Sequence, residues 1–130
     1  MLIADGHLDL AWNALQWNRN LLDSVQTIRS GESRGTEPGR ALGTVALPDM
    51  RAGRIALSFA TLLARATGHA SPHIDYATQA QAFRIARGQL AYYRALEDAG
   101  QARVIPNTAM LDAHMAEWFA WEAADYSDAL

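Results

Sequence analysis

The sequence predicts an α/β fold whose strands run parallel. Three apolar segments have the length and composition of strands, at residues 2–9, 55–63 and 102–105, and helical segments separate them. The second segment, IALSFATLL, is almost continuously apolar, which is typical of a strand covered on both faces by helices. The regular alternation of strand and helix favours βαβ units and therefore a parallel sheet.

The segments before the second strand are short and irregular. The first strand, predicted to be buried, leads into a loop or short helix that runs to about Leu22. Residues 30–43 are rich in glycine and mixed charges and include a proline, which predicts an exposed loop. Residues 47–53 predict one turn of helix that Gly53 ends, so Arg51 and Gly53 should mark a junction between this helix and the second strand.

Two longer helices are predicted after the second strand. Ser71 and Pro72 suit the N-cap and first turn of the longer one, and Gly100 suits its end. Its apolar residues recur at spacings of three and four: Tyr76, Ala80, Phe83, Ala86, Leu90 and Tyr93. Thr108 could cap the last helix, whose apolar stripe is Leu111, Met115 and Trp118.

Composition excludes several functional classes. The chain has 130 residues, of which 50% are hydrophobic and 19% are charged, as expected of one globular domain. Its net charge of −3 is too small to favour a nucleic acid or an anionic membrane as partner. It contains no cysteine, so a metal site would use His, Asp or Glu. Without a signal-like start or an apolar run of about 20 residues, we expect a cytoplasmic protein.

The segment Asp5-Gly6-His7-Leu8-Asp9-Leu10 carries the strongest chemical signal. Side chains alternate across a strand, so His7 and Asp9 should share a face at its carboxyl end, about 6–7 Å apart along the chain. An imidazole beside a carboxylate suits zinc, and such sites also accept manganese or iron. Asp5 shares the face and could orient a ligand without binding the metal itself. A lone His-x-Asp is nonetheless common, and two ligands do not complete a zinc site.

The other histidines and the first two tryptophans favour structural roles. His69 and His73 flank a predicted helix cap, where surface or capping roles outweigh metal binding. His114 falls within the last helix and is predicted to be structural. Trp12 and Trp17 follow the first strand, so they could line a site or pack in the core.

Two motifs resemble the membrane (renal) dipeptidase family of zinc peptidases. The segment at residues 5–10 is similar to the family's first-strand motif, Asp-Gly-His-Asn-Asp-Leu, with Leu8 in place of the asparagine. The side chain at that position faces away from the proposed ligands. Residues 47–59 are similar to the family's leucine-proline turn, Arg-x-Gly and following strand. The similarity continues more weakly through the helix at 79–100.

This resemblance implies the amino-terminal part of a (β/α)₈ TIM-type barrel. Such barrels typically need about 250 residues, so residues 1–130 would form an incomplete portion of one barrel domain, with the first strand's polar face opening into the barrel mouth. The resemblance also implies that His7 and Asp9 bind one zinc of a binuclear pair. In that family a later Glu-Gly motif bridges the metals and two later histidines complete the site. No Glu-Gly occurs in this sequence, so we expect the chain to end before that motif.

The function implied by the resemblance is zinc-dependent hydrolysis of dipeptides by metal-activated water. The catalytic and substrate-binding residues beyond the metal ligands remain unassigned. Two alternatives stay open: a barrel amidohydrolase acting on another amide, or a non-catalytic fragment that needs further residues. The partner is expected to be a dipeptide or similar small amide, and a homo-oligomer is compatible with the sequence.

Overall fold

The computed structural model describes residues 2–32, 34–35, 37–69 and 71–124. This part of the chain contains two strands and five helices, in the order strand, three helices, strand, two helices. Their bounds are β1 Ile3–Leu8, α1 Leu10–Gln16, α2 Val25–Gly31, α3 Leu47–Ala52, β2 Ile55–Ala60, α4 Gln79–Asp98 and α5 Thr108–Ala123. None of the described helices is long and apolar enough to span a bilayer.

Strands β1 and β2 form a two-stranded parallel sheet. Ile3 pairs with Ile55 and Leu8 pairs with Ala60, with irregular register between these ends. The predicted strand at 55–63 therefore does lie parallel to and beside the first, although it ends at Ala60. The sheet is the α/β element that the alternation of apolar segments predicts. The barrel itself remains a prediction.

The junction between α3 and β2 has the predicted form. Pro48 lies in the first turn of α3, where its missing N–H leaves no helical hydrogen bond unmade. Gly53 follows as the C-cap, and its N–H donates to the carbonyl of Asp49. Arg51, in the last turn, donates to both the backbone carbonyl and the side-chain oxygen of Gln101. The junction is thereby held to the segment that follows α4.

The third predicted strand, at residues 102–105, is not formed. The N–H of Val104 donates instead to a carboxylate oxygen of Glu97 at 2.8 Å. Helix α5 contacts the sheet directly, since His114 Nε2 donates to the backbone carbonyl of Ala56 at 2.9 Å. His114 thus makes a structural contact, as predicted. Residues 102–105 have the composition of a strand, but strand formation depends on pairing with a neighbouring strand. Here the Glu97 side chain accepts from the Val104 N–H in place of such a strand.

Helix α4 begins later than predicted. Ser71 and Pro72 lie in a turn, and the N-cap is Thr78. The Thr78 hydroxyl accepts from the N–H of Gln81 at 3.2 Å, and the Gln81 side chain accepts from the N–H of Thr78 at 3.0 Å. This reciprocal capping box satisfies two backbone donors. Ser71 caps no helix; its N–H and carbonyl instead pair with the backbone carbonyl and N–H of Asp75. The N–H and hydroxyl of Thr67 both donate to the Asp75 carboxylate.

The buried face of α4 differs from the predicted stripe. Its buried residues are Gln89, Tyr93 and Leu96, of which only Tyr93 belongs to the predicted stripe, whereas Phe83 and Leu90 are 58% and 40% exposed. The core lies between α1, α3 and α4 and comprises Leu10, Ala11, Ala14, Leu21, Leu47, Tyr93 and Leu96. Leu8 of β1 packs against this core, but no residue of either strand is fully enclosed in it, so the prediction that both strands are buried is wrong for the described residues.

Helix α5 follows its predicted stripe with a different cap. Asn107 caps it by accepting from the N–H of Met110 at 3.0 Å, so Thr108 is the first helical residue. Trp118 is buried, and Leu111 and Met115 are half-buried on the same side. Asparagine and threonine are both good N-caps, so a shift by one residue is a small error in the prediction.

Candidate metal centre at the end of the first strand

His7 and Asp9 lie together where β1 ends. His7 is the last residue but one of the strand, and Asp9 follows it as the N-cap residue of α1. The His7 Nε2 atom lies 3.3 Å from Asp9 Oδ1. The His7 side chain is 72% exposed and that of Asp9 is 26% exposed. The structure therefore brings the two predicted ligands together at an accessible position.

The separation of these atoms fits two ligands of one metal ion. With bonds of about 2.1 Å at tetrahedral angles, two zinc ligands lie roughly 3.4 Å apart. Imidazole nitrogen and carboxylate oxygen are also the donor types that zinc accepts. A protonated histidine paired with a carboxylate would have similar geometry. In the described ranges, no group of three or more His, Asp or Glu side chains is positioned to hold a metal.

Asp5 acts on the backbone of His7. Its Oδ1 accepts a hydrogen bond from the His7 N–H at 2.8 Å. Asp5 was predicted to orient a ligand, and in the structure its hydrogen bond is to the backbone of His7. The Asp5 carboxylate thus fixes the strand end from which the His7 side chain projects.

Thr61 is a neighbour of the site that sequence reasoning missed. It follows β2, and its hydroxyl donates to Asp9 Oδ1. Its backbone N–H donates to the carbonyl of Leu8 at 3.0 Å, which extends the pairing of the two strands by one bond. The parallel sheet therefore positions Thr61 beside Asp9, although 52 residues separate them in the chain.

Tyr93 replaces the side-chain cap that Asp9 does not provide. Asp9 occupies the N-cap position of α1, but its carboxylate makes no capping hydrogen bond. The N–H of Ala11 donates instead to the Tyr93 hydroxyl at 3.1 Å, and that hydroxyl donates to the carbonyl of Thr61 at 3.0 Å. Burial raises the pKa of the Tyr93 phenol, so it stays protonated and able to donate. The N–H of Ala11 in the first turn of α1 is therefore satisfied without the Asp9 carboxylate.

Gln89 holds the segment that follows Thr61. Its side chain is fully buried. It accepts from the N–H of Leu63 at 2.6 Å and donates to the Leu63 carbonyl at 2.9 Å and to Gln16 Oε1 at 2.9 Å. A helix side chain thus satisfies backbone groups that a neighbouring strand would otherwise pair. The spacing of Gln89 from Tyr93 and Leu96 places it on the buried face, which is the signal that could have identified it.

A second polar and aromatic cluster lies around Trp17. Its ring stacks on His73 with 4.8 Å between centroids, and Trp12 meets it edge-on. The Trp12 Nε1 donates to the carbonyl of His73 at 2.6 Å. His73 Nε2 lies 2.5 Å from Glu37 Oε1, and this hydrogen bond lowers the pKa of Glu37. Both tryptophans therefore pack with His73.

Glu32 organises the segment predicted to be an exposed loop. Arg19 donates to both of its carboxylate oxygens, at 2.8 and 3.1 Å, and Arg40 and the N–H of Ala41 also donate to it. The hydrogen bond from Arg19 lowers the pKa of Glu32 to about 2. Ala41 and Gly43 are buried, so the described residues of the segment 30–43 are only partly exposed. His69, the remaining histidine, is exposed.

Comparisons of this chain with protein-family models, with curated proteins and with solved structures found no match.

Proposed function

We propose that His7 and Asp9 are two ligands of a divalent metal in a zinc-dependent dipeptidase-type hydrolase. The observation that carries this proposal is the 3.3 Å separation between His7 Nε2 and Asp9 Oδ1, at an accessible strand end. The resemblance of residues 5–10 and 47–59 to the membrane dipeptidases supplies the reaction and the substrate class. The wider fold, under this proposal, is a TIM-type barrel to which this chain contributes its first strands.

The roles of the described residues follow from their contacts. His7 and Asp9 would bind the metal, Asp5 would hold the peptide of His7, and Thr61 would hold the carboxylate of Asp9. A bound zinc ion lowers the pKa of its water and polarises the amide carbonyl. The proposal includes a second zinc, a small amide substrate such as a dipeptide, and a cytoplasmic location.

The small number of ligands favours one rival interpretation. The described ranges provide two candidate ligands at this position, whereas a catalytic zinc usually has three protein ligands. The 130-residue chain would then be inactive alone and would act only together with residues that supply a bridging carboxylate and further histidines. An amidohydrolase with a different amide substrate would use the same two ligands.

Zinc binding to the 130-residue chain tests the proposed ligands. We expect weak binding that is lost in both His7→Ala and Asp9→Ala, because two ligands give one incomplete site. Calorimetric titration with zinc measures binding in every variant, and the imidazole NMR signals of His7 locate the bound zinc in the variants that keep this residue. His69→Ala is the matched control, since His69 is exposed and lies outside the site. Zinc binding that survives both ligand substitutions would contradict the proposal.

Dipeptide hydrolysis tests the reaction. We expect no turnover by the 130-residue chain with added zinc. We expect chelator-sensitive turnover, abolished by His7→Ala, in a polypeptide that also carries the bridging glutamate and the later histidines. Robust turnover by the 130-residue chain, lost in His7→Ala, would show that its own residues complete the metal site.

A further inference from the structure

We infer that Thr61 is a positioning residue that holds Asp9 in the orientation needed for metal binding, with Tyr93 as its support. This inference rests on the proposed metal function, and it adds two residues that neither motif of the resemblance contains. It follows from how three hydrogen-bonding needs are met at the start of α1.

The first step concerns the alternative open to Asp9. An aspartate at an N-cap position normally accepts a hydrogen bond from the second or third N–H of its helix. That interaction would turn the carboxylate toward α1 and away from His7. Here the N–H of Ala11, the second residue of α1, is already bonded to the Tyr93 hydroxyl at 3.1 Å. The phenol therefore removes one of the two donors that would compete with a metal for Asp9.

The second step concerns the single proton of the Thr61 hydroxyl. Two acceptors lie near it, the Leu8 carbonyl at 3.2 Å and the Asp9 carboxylate. The Leu8 carbonyl already accepts from the Thr61 N–H at 3.0 Å. The ionised carboxylate is the stronger acceptor, so the hydroxyl proton is directed to Asp9. A carboxylate offers about four lone-pair positions, so this bond leaves room for a cation.

The third step concerns the rigidity of Thr61. Its N–H is bonded to Leu8, its carbonyl accepts from Tyr93, and its hydroxyl donates to Asp9. A β-branched side chain also has few accessible rotamers. The hydroxyl is therefore held in place before any metal binds. Loss of a side chain that orients a metal ligand in this way typically lowers metal affinity by about 10- to 100-fold.

Zinc affinity in Thr61 variants tests this role. We expect Thr61→Val, which keeps the shape and removes the hydroxyl, to weaken zinc binding by about 10-fold or more. Thr61→Ser restores a hydroxyl and should bind nearly as tightly as the wild type. Thr44→Val is the matched control, because Thr44 is exposed and lies outside these contacts. The His7 imidazole NMR signals report binding, and circular dichroism shows that each variant is folded.

Tyr93→Phe provides a second variant, which decides the question if Thr61→Val does not fold. Removing the phenol hydroxyl leaves the N–H of Ala11 without its acceptor, so Asp9 should turn to cap α1 and zinc affinity should fall. Equal affinities for wild type, Thr61→Val and Tyr93→Phe, with binding still lost in His7→Ala, would overturn this inference alone. Zinc binding to the wild-type chain that leaves the His7 imidazole signals unchanged would overturn the proposed function and the inference with it.

Discussion

Single residues decide the packing around Trp17, and Gly39 is the most constrained of them. Its φ of +98° lies in the region that favours glycine. A Cβ atom at this position would lie 2.8 Å from Cη2 of the Trp17 ring, which itself lies within 5.1 Å of the Arg19 guanidinium. The ring is stacked on His73 and cannot move without breaking that contact.

We therefore expect Gly39→Ala to lower the free energy of unfolding by about 2–3 kcal/mol, from backbone strain and overpacking together. Gly35→Ala is a matched control, because Gly35 also has a positive φ, of +80°, but open space around its Cβ position. It should cost only the strain of about 1 kcal/mol. Urea unfolding of both variants measures the difference. Equal losses in the two variants would show that Trp17 yields without cost.

The residues of the candidate site differ in how well the sequence identifies them. His7 and Asp9 are two positions apart, so the alternation of a strand is enough to predict that they meet. Thr61 reaches Asp9 from 52 residues away, and only the parallel register of β1 and β2 brings it there. Tyr93 was predicted as an apolar helix residue, and its hydroxyl contact is a tertiary property. Local spacing predicts local contacts and carries no information about these long-range ones.

At the scale of elements, predictions failed where a polar side chain changed the backbone pairing. The apolar spacing of α4 assigned Phe83 and Leu90 to its buried face, but Gln89 occupies that face because its amide satisfies Leu63. The segment at 102–105 has strand composition, yet Glu97 takes the N–H of Val104. Helix α3 was predicted well because the signal that ends it, Gly53, is local.

Glu32 makes a pH-dependent contribution to the stability of the segment between α2 and α3. Its pKa falls from 4.5 to about 2, chiefly through the hydrogen bond from Arg19. A carboxylate whose pKa is lower in the folded state stabilises that state fully above pH 4.5. The contribution is then lost as the pH falls toward about 2.

We expect Glu32→Gln to lower the free energy of unfolding at pH 7 by about 2 kcal/mol, the scale of a lost charge-assisted hydrogen bond. It should also flatten the decline in stability between pH 4.5 and about 2, because the titrating group is gone. Urea unfolding at a series of pH values measures both effects. Glu117→Gln, at an exposed ion pair with Arg103, should change neither by much. A wild-type slope in Glu32→Gln would exclude Glu32 as the source.

At the scale of the whole molecule, apolar side chains in and just after β2 stay exposed, because no other described element packs over them. The sequence predicts a strand buried on both faces, yet Phe59 is 72% exposed and Leu62 is 47% exposed. Strand β1 pairs with β2 and with no other strand in the described ranges. A strand with an unpaired edge beside exposed apolar side chains is a template for association. A second copy of this chain is the partner always present in solution.

We therefore expect the 130-residue chain to self-associate as its concentration rises, which sedimentation velocity measures. Phe59→Lys should raise the monomer fraction, because a charge on the sheet opposes its burial against another sheet. Phe83→Lys is the matched control, since Phe83 is 58% exposed but lies on α4 with Arg87 beside its ring. A monomeric wild-type chain would contradict association altogether. If Phe83→Lys raised the monomer fraction as much as Phe59→Lys, the exposed apolar surface in general would drive association, and the sheet would have no special part in it.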